Sequence, residues 1–528
     1  MKRIFLSFLF LGLLTFSSCE DDFATLEKDP NRPVNVPAAL VLKEVQYAMY
    51  NNTGRPFSGE MRWNQFYCSN YNYYATNEYT WTEMPNHFYT LKNVIKMEEE
   101  ALRAGADAVN PYSATAKFFK AFFYDQMTKR VGDLPLSSAL QGSENFEPGY
   151  DSQKEIYKQI LTWLDQANTE MAELIAAGEG DLNGDIYFNG DLKQWQKVVN
   201  AFQLRVLTTL SAKESDADLN VKTRFSQILS NPAKYPLLTG LEDNLEFISN
   251  QFNKYPSNPD NFGFDATRQN MSAAYVERLK ERKDPRLFKT TEPTGADMKA
   301  GKQPSDFSAY LGASSGEDLA DMSFKAGTSN GTFAPGSYSF QNRNRYYTNY
   351  EGEATFIVGY PEMCFNIAEG IHRGWASSSS AESWYTKGIE ASFEFYGINS
   401  GTNTFTYSKT GGKAADDFEN FQYDFDLQEY LAQPNVKYTA DNKGLEQIIT
   451  QKYLAFFMNS GMEAYFNWRR TGFPEFYTGV GTGNSGRIAI RWQYPYSERT
   501  TNAQNYKTAI DSQFSGKDDI NEKIWLLK

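Results

Sequence analysis

Histidine and cysteine are nearly missing from this chain of 528 residues. It has two histidines, His87 and His372, and three cysteines, Cys19, Cys68 and Cys364. So small a number of scattered ligands nearly excludes a structural Cys/His zinc site, and no H-E-x-x-H metalloprotease motif occurs. Cys68 and Cys364 either pair in an oxidising compartment or stay apart as two separate buried thiols, which is the reading adopted, since sequence says nothing of proximity. Positive charge is also in short supply. Lys and Arg number 52 against 65 Asp and Glu, for a net charge of -13. Nucleic acid demands basic patches, so that class of partner is excluded. No apolar run is long enough to span a bilayer, which takes about 20 residues. The nearest is 4–16, behind Lys2 and Arg3 and ahead of the small residues Ser17 and Ser18. That order reads as an export signal covering 1–18, removed from the mature chain.

The signal stops at Cys19, with Glu20, Asp21 and Asp22 directly behind it. Either this is an ordinary secretory site with an incidental cysteine, or Phe16-Ser17-Ser18-Cys19 resembles a lipobox. In the second case the Cys19 thiol takes a diacylglycerol and the acids begin a solvated tether over 19–36, as in surface-exposed lipoproteins. One acyl chain holds a protein to a membrane only marginally, and two or more hold it stably.

Aromatic residues are abundant, at 16% of the chain, with 39 Phe, 34 Tyr and 9 Trp. Many must be core, because rings dominate burial. Helical signals also prevail. A helix is predicted over 37–50, opened by Pro37. Asn110-Pro111 caps another that ends at Gly132. Ser152 to Glu155 reads as a capping box for a long amphipathic helix stopped by Gly178. Further helices are predicted over 191–213, 221–229, 361–373, 381–396, 445–471 and 502–512. Between 235 and 360 glycine, proline, serine and asparagine interrupt the pattern, and only 272–282 reads as a helix. The fold expected is mainly α, a tetratricopeptide-like solenoid of helical pairs. It divides into an N-terminal helical-repeat part (37–234), an irregular loop-rich insert (235–360) carrying the ligand face, and a C-terminal helical part (361–528) that packs back on the repeats. The tetratricopeptide consensus itself is not evident.

Several short motifs occur in a fixed order: Asp29-Pro30-Asn31-Arg32-Pro33, Arg130-Val131-Gly132-Asp133-Leu134-Pro135, Asp191-Leu192-Lys193-Gln194-Trp195 and Asp284-Pro285-Arg286-Leu287. Ala368-Glu369 with Arg373-Gly374-Trp375 follows. Then come Gln451-Lys452-Tyr453, Glu463-Ala464 and Trp468-Arg469-Arg470-Thr471-Gly472, and finally Tyr494-Pro495-Tyr496-Ser497-Glu498 with Asn502-Ala503-Gln504-Asn505-Tyr506. In this order they resemble the SusD/RagB family of outer-membrane nutrient-binding lipoproteins, in its SusD-like branch. Val131 stands where the family usually has an aromatic residue, and the ending at Trp525 lacks a second tryptophan. The motifs read as scaffold: Arg469 and Arg470, late in a helix, suit a carboxylate clamp with Glu369 or Glu463. Asp284-Pro285 stops a helix.

Ligand contact is expected elsewhere. In the segment 62–81 rings alternate with amides, which suits sugars, whose apolar C–H faces are ringed by hydroxyls. Trp63, Phe66 and Tyr67 read as core, and Tyr71, Asn72, Tyr73, Tyr74, Asn77, Tyr79 and Trp81 as ligand contacts. In the insert, Arg345, Tyr346 and Tyr347 form a second candidate, with 258–262 a weaker third. Asp181-Leu182-Asn183-Gly184-Asp185 opens like a calcium loop, but its glycine and twelfth residue are wrong for an EF-hand, so a plain turn is expected and no metal or cofactor. The resemblance implies an outer-membrane lipoprotein facing the cell exterior. It would capture oligosaccharide or peptide and pass it to a SusC-like TonB-dependent β-barrel, without catalysis. The alternatives are a surface glycoside hydrolase with paired carboxylates and a structural lid with no ligand site of its own.

Overall fold

A computed structural model describes residues 35–73, 75–327, 336–377, 379–409 and 417–528. The export signal, Cys19, nearly all of the acidic tether and Tyr74 lie outside the described residues.

Helices build the body: α1 (Ala38–Asn51), α2 (Phe88–Arg103), α3 (Pro111–Val131), α4 (Gln153–Ala177), α5 (Leu192–Thr209) and α6 (Val221–Ser230), each packed on the next. The insert contributes α7 (Ala273–Glu281). The C-terminal part contributes α8 (Tyr360–His372), α9 (Ala381–Phe395), α10 (Asn442–Ala455), α11 (Glu463–Thr471) and α12 (Ala503–Phe514). Helix α8 lies on α5, α9 and α10. The family of folds is the expected one, mainly α and tetratricopeptide-like.

Local chemistry explains the best-defined ends. Asn110 accepts the amides of Tyr112 and Ser113, Ser113 answers with its hydroxyl to the Asn110 amide, and Pro111 needs no donor at the first position. Ser152 accepts the Glu155 amide, and Gly178 closes α4 in the left-handed conformation (φ 78°). Helix α3 is buried on nearly every side, with Phe118, Phe119, Phe122 and Phe123 inside. Its charges are therefore paired: Lys129 meets Asp125 at 2.7 Å and also Glu463 of α11, and Arg130 meets Glu60 at 2.9 Å.

The structure corrects the sequence reading at several points. The predicted helix over 445–471 is two helices. They are separated by a turn in which Met458, Ser460 and Gly461 have positive φ. A Cβ on Gly461 would sit 2.2 Å from the Thr53 carbonyl oxygen, and the Gly461 carbonyl accepts Asn64 Nδ2 at 2.8 Å. Tertiary contact imposes this break. The insert holds more than one helix: short ones span Arg286–Thr290, Gly295–Lys299, Leu319–Lys325 and Arg343–Tyr347. It is also stitched to the body. Strand β1 (Tyr67–Ser69) pairs antiparallel with β3 (Gln269–Met271), and β2 (Leu245–Phe247) with β4 (Thr355–Val358). A hairpin of β5 (Gly401–Ser408) and β6 (Phe418–Phe425) was not expected, nor was α2.

The shared motif Asp29-Pro30-Asn31-Arg32-Pro33 lies outside the described residues; of the others, these serve the scaffold. Asp284 and Arg286, both fully buried, bond through Nη2 to Oδ2 at 2.6 Å, while the Tyr430 hydroxyl donates to Asp284 and Arg286 donates to Gln451 Oε1 at 2.9 Å. This bolts the insert to α10. Arg470 grips Glu369 with both terminal nitrogens, and Arg373 adds a third bond at 2.8 Å. Among the described residues Arg469, by contrast, clamps no carboxylate. It donates to the Ile490 carbonyl at 2.8 Å, and Glu463 belongs to Lys129. The Asp-rich turn is a plain turn: the Asp185 carboxylate accepts the amides of Tyr187, Phe188 and Gly190 and the Trp195 indole N–H. The described residues contain no group of three His, Cys, Asp or Glu placed to hold a metal. Cys68 and Cys364 are separate, buried thiols.

Candidate ligand-binding ledge

Residues 57–83 form the ledge from the core outward. Phe66 is fully buried, stacked on Tyr453 at 4.9 Å, and Tyr67 begins β1. At the end of β1, Asn70 donates to the Thr267 carbonyl (3.1 Å) and to Asn270, and its amide bonds to the Arg268 carbonyl. The β1–β3 pairing ends at Ser69, and residues 71–73 are exposed. Asn77 closes the loop: its Oδ1 accepts the Ser69 amide and its Nδ2 donates to the Ser69 carbonyl, each at 2.8 Å. An amide side chain is thus replacing a strand pairing.

The result is an outward shelf. Tyr73 is 81% exposed and Tyr71 is 41% exposed; Asn72 is exposed between them. Their ring centroids lie 6.4 Å apart with planes tilted by 35°. The Arg268 guanidinium, brought in by the β1–β3 pairing, sits 4.7 Å from the Tyr71 ring centroid. Beside the shelf a cleft of about 460 Å³ is lined by Arg62, Trp63, Thr76, Glu78, Trp81 and Trp492 among others. Arg62 Nε donates to the Thr76 carbonyl and Trp63 Nε1 to the Glu78 carbonyl, which pins the far side of the loop.

Other expected contacts belong to the interior. Tyr79 is fully buried; its hydroxyl donates to the Trp63 carbonyl at 2.7 Å, and burial pushes its phenol pKa well up. Asn77 is the buried clamp just described. Trp81 is 5% exposed and stacked on Trp492 at 3.7 Å with planes 12° apart, so it is part of the cleft wall. In the insert, Tyr346 is buried between Phe57 and Tyr255, and Tyr347 is buried against Phe262 while its hydroxyl accepts Gln341 Nε2 at 3.0 Å. Arg345 is tied to Glu353 at 2.6 Å and lies over Tyr396. The short helix Arg343–Tyr347 turns its rings inward, and that removes Tyr346 and Tyr347 from the surface. Of the expected contacts, the structure brings Tyr71, Asn72 and Tyr73 together in solvent, and Tyr74 lies outside the described residues. Arg268 and Trp492 were missed, because only the strand pairing and the tryptophan stack bring these distant segments here.

The strongly perturbed carboxylates are scaffold groups. Burial alone would raise Glu369, but Arg470, Arg373 and Lys452 outweigh it and hold the carboxyl down to about 2. Gly312-Ala313-Ser314-Ser315-Gly316 has the spacing of a nucleophile elbow. Yet Ser314 Oγ accepts the Gly316 amide within a turn, and among the described residues neither histidine hydrogen-bonds a serine.

Known proteins place this architecture. A family model described as SusD-like, starch-binding and associating with the outer membrane matches residues 30–495. The chain belongs to the SusD-like family. A SusD homologue of Bacteroides fragilis superposes with a TM-score of 0.79 at 28% identity, covering 93% of this chain and all of that one. A second B. fragilis SusD homologue gives 0.76 at 30% identity, covering 94% of this chain and all of the other. A chitin-binding SusD homologue from Flavobacterium johnsoniae shares the fold at a TM-score of 0.67 and 20% identity, over 93% of this chain and 98% of that one. No curated protein matches. The SusD-like family is associated with the outer membrane. Among the described residues no helix is long and apolar enough to cross a membrane.

Proposed function

We propose that this SusD-like protein is a cell-surface lipoprotein, anchored through acylated Cys19, that captures oligosaccharide on the Tyr71–Tyr73 ledge. It passes the ligand unchanged to a SusC-like TonB-dependent β-barrel. The observation that carries the reading is the pair of neighbouring exposed rings, braced from behind by the Asn70 and Asn77 amides and flanked by Arg268. Sugars stack their C–H faces on such rings and offer hydroxyls to amide and guanidinium donors. The starch-binding family description and the chitin-binding relative favour a glycan over a peptide. A bracing network made before the ligand arrives lowers the ordering cost of binding.

Calorimetry of the purified chain against starch- and chitin-derived oligosaccharides tests this. Tyr71→Ala with Tyr73→Ala should weaken binding at least tenfold. Release of shorter products overturns the reading in favour of a hydrolase, and an affinity untouched by the double substitution favours a lid without a ledge site.

A further inference from the structure

A second groove, of about 530 Å³, shares no lining residue with the ledge or its cleft. It opens between α1, the turn at 186–188 and the segment 242–253. Tyr47, Phe188 and Phe247 supply aromatic surface. Tyr47 meets Phe247 edge-on at 5.8 Å, and Phe247 stacks at 3.9 Å on Tyr50.

Both walls are held in place by the fold itself. On one side Gln46 of α1 donates to Asp185 Oδ1 at 2.7 Å and accepts the Ile186 amide at 2.9 Å. The Tyr187 hydroxyl donates back to the Gln46 carbonyl at 2.8 Å. On the other side the β2–β4 pairing fixes Phe247, Asn244 accepts the Tyr360 amide at 2.7 Å, and Asn250 accepts the amides of Phe252 and Asn253. Between these walls the side chains of Lys43, Glu242 and Asn253 have no hydrogen-bond or ion-pair partner among the described residues. Lys43 can only donate, ionised Glu242 can only accept, and Asn253 can do both. Opposed charges around an aromatic floor suit a neutral ligand whose hydroxyls both donate and accept and whose ring face is apolar.

We propose that this groove is a second carbohydrate-binding site, taking pyranose units of a neutral oligosaccharide. Tyr47 stacks on the ring face, while Lys43, Glu242 and Asn253 bond to its hydroxyls. A polymer long enough to reach both sites binds with the avidity of two linked contacts. The site stands on the groove's own chemistry and does not depend on the ledge.

The test uses the purified chain carrying Tyr71→Ala and Tyr73→Ala, titrated calorimetrically with hexasaccharides of the malto, chito, xylo and manno series. One series is expected to bind this chain. Adding Tyr47→Ala, or separately Glu242→Ala or Lys43→Ala, should then weaken binding at least tenfold. Glu242 and Lys43 are exposed, so these two variants keep the fold, as an unchanged thermal unfolding curve will show. If none of the four series binds the ledge-free chain, or if binding ignores all three groove substitutions, the second site does not exist. Failure of the ledge reads out differently, as equal affinity in the parent and the ledge-free chain.

Discussion

The joint of the helical body and the ledge use the same residue types in opposite ways. Where α3, α5, α8 and α11 meet, arginines, lysines and carboxylates are sealed inside. Arg205 bonds Glu362 and the Ile357 carbonyl, Lys129 bonds Asp125 and Glu463, and Arg470 bonds Glu369. At the ledge, Arg268 lies against the Tyr71 ring, with Tyr73 81% exposed beside it. In the body the charges fix which helices meet, because any one left unpaired would be costly. At the ledge the loop is held from behind by Asn70 and Asn77, and Tyr71 and Tyr73 stay exposed. Burial, more than residue type, sets the role.

The largest effect should come from breaking the body. Arg286→Leu leaves Asp284 buried with its counter-charge gone, and should lower stability by about 3–5 kcal/mol in denaturant unfolding. Ledge-type substitutions should not approach this.

Acid comes next. The Glu369 carboxyl lies well below its ordinary value, down to about 2, so the folded state binds its proton more weakly than the unfolded chain. Its contribution is complete above the unfolded pKa near 4.5 and is lost as pH falls towards 2, for about 3 kcal/mol in all. Glu369→Gln should lower stability at neutral pH and flatten this part of the acid unfolding curve. Asp133 acts in the reverse sense. Burial raises it to about 6, so its neutral form is favoured by folding and stability falls as pH rises from about 4 through 6. Asp133→Asn should remove that slope.

Asn77→Ala sharpens the comparison from between the two regions. Loss of two buried bonds to Ser69 should cost about 1–3 kcal/mol. Because it loosens the loop, it should also weaken glycan binding, which calorimetry would register. The smallest stability change belongs to Tyr73→Ala, within about 0.5 kcal/mol, since the ring is mostly in solvent. Equal destabilisation by Tyr73→Ala and Asn77→Ala would erase the distinction between bracing and presenting residues.

Much of the body was legible because its signals are local. Asn110-Pro111, Ser152 and Gly178 mark helix ends through bonds made within one turn. The break between α10 and α11 was not legible, because Asn64 and Thr53, distant in sequence, dictate it. Helix α2 was missed because its cap position holds His87, which makes no side-chain cap, while Asn86, one residue further out, accepts the Phe88 amide instead. At the ledge the ring-and-amide composition of 62–81 singled out a segment that the structure brings partly to the surface. It could not separate Tyr73 from Tyr79, since both are tyrosines in an irregular stretch and only the fold buries the second.

By itself the sequence determined the helical body and the ends of most of its helices, because capping and apolar periodicity act over a few residues, and its ordered motifs carried the resemblance to the family. Only the tertiary structure decided which rings face water, which amides became clamps and that Arg268 joins the ledge. Those choices depend on strand pairings and packing between segments far apart in the chain, and no local pattern encodes them.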